Sequence, residues 1–358
     1  MIVDTTVAEQ SIRFPTDLGL LNEARELSER IIDELHANSN RPQKKKPRTY
    51  REITRKAYLS LVKLKRPSSK KRRAGIRKQL QFLHRNLGHI ETMLMEYPYG
   101  APIPLSNWLL RRYQVLPHLY HQQYEMYKTN TRRCDNRIVN ISQPHVRPII
   151  RGKQGKTVEF GPKISVSLTG KGLAHVDQLH WNARHEGHDL QRQVEAYQKR
   201  YGCYPEAVIA DKAYGSRDNR SFLEQRNIRF AGKLLGRPPK ITPENKIGMK
   251  RRKVQRQLEY RERIPIEGKF GQGKYGYRLN NIRAKRADTS VAWINSIFLV
   301  MNLLVLVQVF ICLKKFAFKV ALREANMTEF RKVVLEYTRQ FRSNQSFCPA
   351  VNKSSLNF

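Results

Sequence analysis

Two apolar runs that each carry one aspartate constrain the fold of this chain more than anything else in it. MIVDTTV at 1–7 holds Asp4, and AVIADKAYGS at 207–216 holds Asp211. Both read as short strands. AVIA is apolar throughout, as a strand buried on both faces must be, and Asp211 sits at its carboxyl end. Ligands of open α/β sheets gather at the carboxyl ends of the strands. Adjacent central strands would therefore set the two carboxylates side by side. At close range they repel unless a cation lies between them, and hard divalent ions such as Mg²⁺ take oxygen ligands.

A third carboxylate, Glu267, lies in EYRERIPIEGKFGQGKY at 259–275, with Tyr260, Arg263 and Lys274 in the spacing Y-x2-R-x3-E-x6-K. Glu267 and Lys274 are two helical turns apart and share a face if the helix is continuous. Gly268, Gly271 and Gly273 weaken such a helix but leave little bulk against an approaching backbone. Two metals about 3.5–4 Å apart, held by three carboxylates, can clamp the attacking and leaving oxygens of a displacement at phosphorus.

Charge points the same way. Of 358 residues, 68 are Lys or Arg and 30 are Asp or Glu, a net charge of +38. A polyanionic partner follows, because each neutralised phosphate releases a counterion. Residues 41–85 hold 18 basic residues and one acid, Glu52; residues 233–286 hold 17 against four acids and enclose Glu267. The second stretch reads as a basic channel leading a nucleic-acid backbone to the metals. With 40% apolar residues, general disorder is excluded. Cys134, Cys203, Cys312 and Cys348 form no C-x2-C pair, which excludes a zinc ribbon or a disulfide framework.

Periodicity places helices at 17–37, 76–94 and 108–127, so residues 14–140 read as one helical block. Alternation over 158–168 predicts one strand, and 173–181 a second, paired as a hairpin through the Gly170–Gly172 turn. Asp189 is expected to cap a helix, 218–225 to form another, 228–231 a strand, and 236–245 a proline-rich loop. The apolar stretch 291–313 is long enough for a membrane span, but Asn295, Asn302 and Gln308 punctuate it, and a buried core helix is expected.

In this order the pieces resemble the insertion-sequence DDE transposases that carry the Y-x2-R-x3-E-x6-K signature, over nearly the whole chain. The resemblance implies an α/β, RNase H-like mixed sheet flanked by helices, with a helical insertion between the first and second strands. Residues 1–13 would give the first strand, 14–143 the basic insertion, 144–313 the rest of the catalytic domain and 314–358 a basic tail. Asp4, Asp211 and Glu267 would be catalytic and hold two Mg²⁺ ions, with Mn²⁺ able to substitute. Tyr260, Arg263, Lys274, Lys269, Arg251 and Arg252 would contact DNA, Arg263 also steadying Glu267. In the reaction so implied, water frees a 3′-OH at the element end, and that 3′-OH attacks target DNA. The partners would be terminal inverted repeats and target DNA, with a homo-oligomer assembled on them, in the nucleoid of a bacterial cytoplasm and with no membrane. The family carries a helical DNA-binding region ahead of its first aspartate, whereas three residues precede Asp4. A shortened first strand and a missing amino-terminal region are therefore expected. A non-catalytic DNA-binding remnant and an RNase H-like nuclease without strand transfer are the alternatives.

Other features carry blander readings. His175, His180, His185 and His188 are irregularly spaced and far from Cys203, so no zinc site is expected. Asp177 reads as a strand-face residue. At least half of Trp181, Tyr214, Tyr275 and Tyr277 should pack in the core, the rest being free to stack on an unpaired base.

Overall fold

The computed structural model describes residues 1–39, 45–97, 100, 102–150, 158–232, 235–236, 242–243, 245–324, 335–336 and 339. The expected proline-rich loop and basic tail lie largely outside the described residues. The chain divides into two units, residues 1–301 and 302–358.

The first unit begins with β1 (Ile2–Val7). It then runs through α1 (Asp17–Ala37), α2 (Arg51–Val62), α3 (Ser69–Met95), α4 (Asn107–Tyr113) and α5 (Leu116–Lys128). Thr16 starts α1 by accepting from the Gly19 amide at 3.1 Å, and Ser68 does the same for α3 from Lys71 at 3.3 Å; both satisfy first-turn donors. The apolar stripe of α1 (Leu21, Ile31, Leu35) packs against Leu83 and Ile90 of α3 and Leu116 and Leu119 of α5. These helices thus bury a core of their own.

A two-stranded sheet of β2 (Pro148–Ile150) and β3 (Val158–Phe160) follows. Next come β4 (Lys163–Leu168), β5 (Ala174–His180), α6 (Leu190–Tyr201), β6 (Ala207–Ile209), α7 (Arg217–Glu224) and β7 (Arg229–Ala231). The main sheet has the order β5-β4-β1-β6-β7. Its β1–β4 and β4–β5 pairs are antiparallel, and its β1–β6 and β6–β7 pairs are parallel. The chain continues with α8 (Lys246–Glu262), α9 (Ile264–Gly271) and α10 (Ala287–Glu324).

Alternation along each strand sends successive side chains to opposite faces. Ile2, Ile164, Val166 and Ile209 meet Ile266 and Phe270 of α9 and Ile294 and Phe298 of α10. Val3 and Val208 meet Leu190 and Val194 of α6 and Leu223 of α7 on the other face. A mixed five-stranded sheet flanked by helices on both faces is compatible with the RNase H-like expectation.

Several expectations are corrected. β1 is not shortened: it continues past Asp4 to Val7, which pairs with Lys163. The single strand over 158–168 is two strands in different sheets, because Gly161 (φ +154) and Pro162 break it. Residues 108–127 form two helices, and α2 was not foreseen. The 291–313 stretch is not a buried core helix throughout. Ile294, Ile297, Phe298 and Met301 are buried, whereas in the second unit Leu303, Leu306 and Phe310 are exposed. Residues Ala287–Lys315 are long and apolar enough to cross a membrane by length and composition alone.

Candidate active site

The sheet register explains why two distant aspartates meet. Ile2 of β1 is level with Ile209 of the parallel β6. Asp4 follows Ile2 by two residues, and Asp211 follows Ile209 by two, just past the end of β6, with an extended backbone (φ −71, ψ 165). Even spacing keeps both on the face of Ile2 and Ile209, the one α9 covers. Asp4 lies within β1 and Asp211 just past the carboxyl end of β6, near enough that the Asp211 charge raises the Asp4 carboxyl.

α9 brings the third group. Ile266 and Phe270 are buried against the sheet, which leaves Glu267 about half exposed over its end. Arg263, one turn earlier, donates from Nη2 to Glu267 Oε1 at 2.7 Å. Its Nη1 lies 3.3 Å from Asp211 Oδ1. One guanidinium therefore bridges two of the three carboxylates and sits within electrostatic reach of the third, Asp4.

Electrostatics follow from this crowding. Burial raises the Asp4 carboxyl above its ordinary range, and Glu186 and Asp211 add to the rise, against the Thr5 amide and Arg263. The Arg263 guanidinium is held more firmly charged: burial opposes this, but the hydrogen bond to Glu267 and the charges of Asp4 and Asp211 outweigh it.

Behind β1, Thr5 points to the opposite face and donates to Glu186 Oε2 at 2.5 Å, and Lys163 pairs with the same oxygen at 2.9 Å. Burial would raise the Glu186 carboxyl, but these two partners lower it. Asp189 does not cap α6 with its side chain. It is buried, accepting from Ser165 at 2.6 Å and lying 3.0 Å from His180 Nε2. Glu186 escaped sequence reasoning because it is hidden among the histidines of HEGHD, at 185–189. The four histidines do not converge on one point: His175 meets Tyr201, His180 meets Asp189, and His185 accepts from the Gly187 amide with its ring edge-on to that of His188.

The remaining candidates divide. Arg251 and Arg252 are exposed on α8, and the Tyr260 side chain lies outside the described residues. Lys269 is corrected: only 9% exposed, it turns into the core toward the Met301 carbonyl at 3.5 Å, and burial lowers its ammonium. Lys274 does not share a continuous helix with Glu267, because α9 gives way to a π-helical turn, Gln272–Gly276. A π turn changes the helical phase, and the Lys274 ammonium lies 3.8 Å from Glu159 on β3. Of the aromatics, Tyr214 is fully buried, Tyr275 is 87% exposed, and Trp181 packs edge-on against His145.

Among the described residues, no group of three or more His, Cys, Asp or Glu side chains is arranged to hold a metal ion. Asp211 and Glu267, joined by Arg263, with Asp4 within electrostatic reach, would offer hard oxygen ligands of the kind that Mg²⁺ takes. Arg263 supplies the positive charge there now.

No curated protein and no solved structure matches the chain. Residues 208–304 match the family model described as a transposase DDE domain, a little over a quarter of the chain, running from β6 through Asp211 and Glu267 into α10. That match supports a DDE transposase.

Proposed function

We propose that this chain is the catalytic domain of a DNA transposase that cleaves element ends and joins the freed 3′-OH to target DNA. The observation that carries the reading is Arg263 bridging Asp211 and Glu267, with Asp4 within electrostatic reach of both Arg263 and Asp211. Three carboxylates far apart in the sequence thus share the field of one guanidinium.

In this reading Asp4, Asp211 and Glu267 hold Mg²⁺, which supplies Lewis-acid polarisation of the scissile phosphodiester. Arg263 holds the metal-free carboxylates together and turns to a DNA phosphate when DNA arrives. Gly268 and Gly271 place no side chain in the way of the backbone, since a Cβ at either would meet nothing. Glu186 and Lys163 fix β1 from behind through Thr5, which limits the freedom of Asp4.

The test uses duplex oligonucleotides carrying the element end, incubated with Mg²⁺. Wild type should nick the end and yield strand-transfer products, and Asp211→Asn should do neither while binding the duplex as before. Nicking without joining would favour an RNase H-like nuclease. Cleavage retained in Asp211→Asn would remove that residue from the site.

A further inference from the structure

The acidic site accounts for little of the excess positive charge, and the first three turns of α3 hold the densest part of the rest. Lys70, Lys71, Arg72, Arg73, Arg77 and Lys78 are all exposed there. Their placement works against the helix. Cations at a helix amino terminus oppose its dipole, like charges three and four residues apart repel, and the first turn has no acidic residue. Arg73 has structural work, lying 4.2 Å over the Tyr127 ring and donating to Asn130 at 2.9 Å. Lys70, Lys71, Arg77 and Lys78 make no ion pair among the described residues.

We infer that this face of α3 is a docking surface for the phosphate backbone of duplex DNA. The inference rests on the transposase reading for the kind of nucleic acid, and on charge geometry for the surface. At a rise of about 1.5 Å per residue, residues 70–78 span about 12 Å. The four on one face, Lys70, Lys71, Arg77 and Lys78, give one charge per about 3 Å, close to the one per about 3.4 Å that a single strand of a duplex presents along its axis. At 100° per residue, Lys70, Lys71, Arg77 and Lys78 fall within about 120° of the helix circumference. They face away from Leu80 and Leu83, which anchor α3 in its core.

The basic surface continues onto exposed Lys63, Lys65 and Arg66, which join α2 to α3. A lipid surface fits less well on the α3 face itself, because residues 69–78 expose no large apolar side chain to insert, although Leu64 in the preceding link is exposed. With no base-reading feature on this face, the contact positions a duplex without selecting its sequence.

The experiment measures binding of a labelled duplex by the full chain in EDTA, as the slope of log K against log salt. A variant with Lys70→Gln, Lys71→Gln, Arg77→Gln and Lys78→Gln should lose about 2–4 from the slope, at about 0.9 per phosphate contact. A control losing four exposed cations elsewhere, Lys171→Gln, Arg192→Gln, Lys199→Gln and Arg217→Gln, should keep it. All eight positions face water, and Gln suits a helix as well as Lys does. Circular dichroism should confirm unchanged folding. An unchanged slope in the first variant, an equal loss in both, or tighter binding to single-stranded RNA or to phosphatidylglycerol vesicles than to duplex would overturn the inference. Because no metal is present, failure of cleavage cannot imitate any of these results. An intact slope together with intact cleavage would remove the surface and leave the transposase reading standing.

Discussion

Arg263 donates to Glu267 at 2.7 Å across one turn of chain, and the same guanidinium reaches Asp211 at 3.3 Å. A cation already present in the protein therefore holds the place where a metal would neutralise the carboxylates. Arg263→Gln should release both acids. Without DNA, the variant should bind Mn²⁺ more tightly than wild type in an isothermal titration. In EDTA it should be less stable by about 1 kcal/mol, a figure kept small because both acids are about half exposed. Unchanged Mn²⁺ affinity would show that Arg263 does not compete for the site.

Asp4 gives the pH dependence its sign. Its carboxyl is raised in the fold, first by burial and then by Glu186 and Asp211. The folded protein thus holds that proton to higher pH than the unfolded chain does. Stability falls as pH rises from the ordinary carboxylate value through the raised one, and the penalty persists at neutral pH. Asp4→Asn, still able to accept from the Thr5 amide, should melt higher than wild type at pH 7 in EDTA. The gain should vanish near pH 3. A lower melting temperature at pH 7 would contradict this origin for the shift.

Lys269 is a basic residue near Glu267 that turns away from the surface. Burial makes its ammonium costly, so Lys269→Met should leave duplex affinity and its salt slope unchanged, with stability equal or higher. A fall in slope near 0.9, the value of one phosphate contact, would return Lys269 to the DNA surface.

Gly161 tests the break between β3 and β4. Its φ of +154 is closed to other residues, and a Cβ there would collide with the Ala8 carbonyl oxygen. Gly161→Ala should cost about 2 kcal/mol or more, seen as a lower midpoint in urea. An unchanged midpoint would mean that the segment has room to move.

Much of this was legible in the sequence where one physical rule dominated. The stripe of α1, the continuous apolar run of β6 and the hairpin of β4 and β5 each follow from periodicity. The parity that puts Asp4 and Asp211 on one face is readable once their strands are paired. What stayed hidden depends on tertiary context. Alternation runs unbroken through Phe160 and Ile164 although the backbone turns at Gly161. Among the basic residues near Glu267, nothing local marks Lys269 as the one turned inward. The π turn after Gly271 shifts Lys274 by less than one residue's worth of pattern. α10 is apolar on every side, so its composition could not show that burial lapses past Met301.

The central claim is that Asp4, Asp211 and Glu267 hold one pair of divalent ions, and the most direct measurement is the number of Mn²⁺ ions bound per chain by the DNA-loaded protein, read by electron paramagnetic resonance. Wild type should bind two with the spin coupling of ions about 3.5–4 Å apart, and Asp4→Asn, Asp211→Asn and Glu267→Gln should each abolish the coupled signal. A coupled pair that survives all three substitutions, or a wild-type chain that binds no Mn²⁺ with DNA in place, would contradict it.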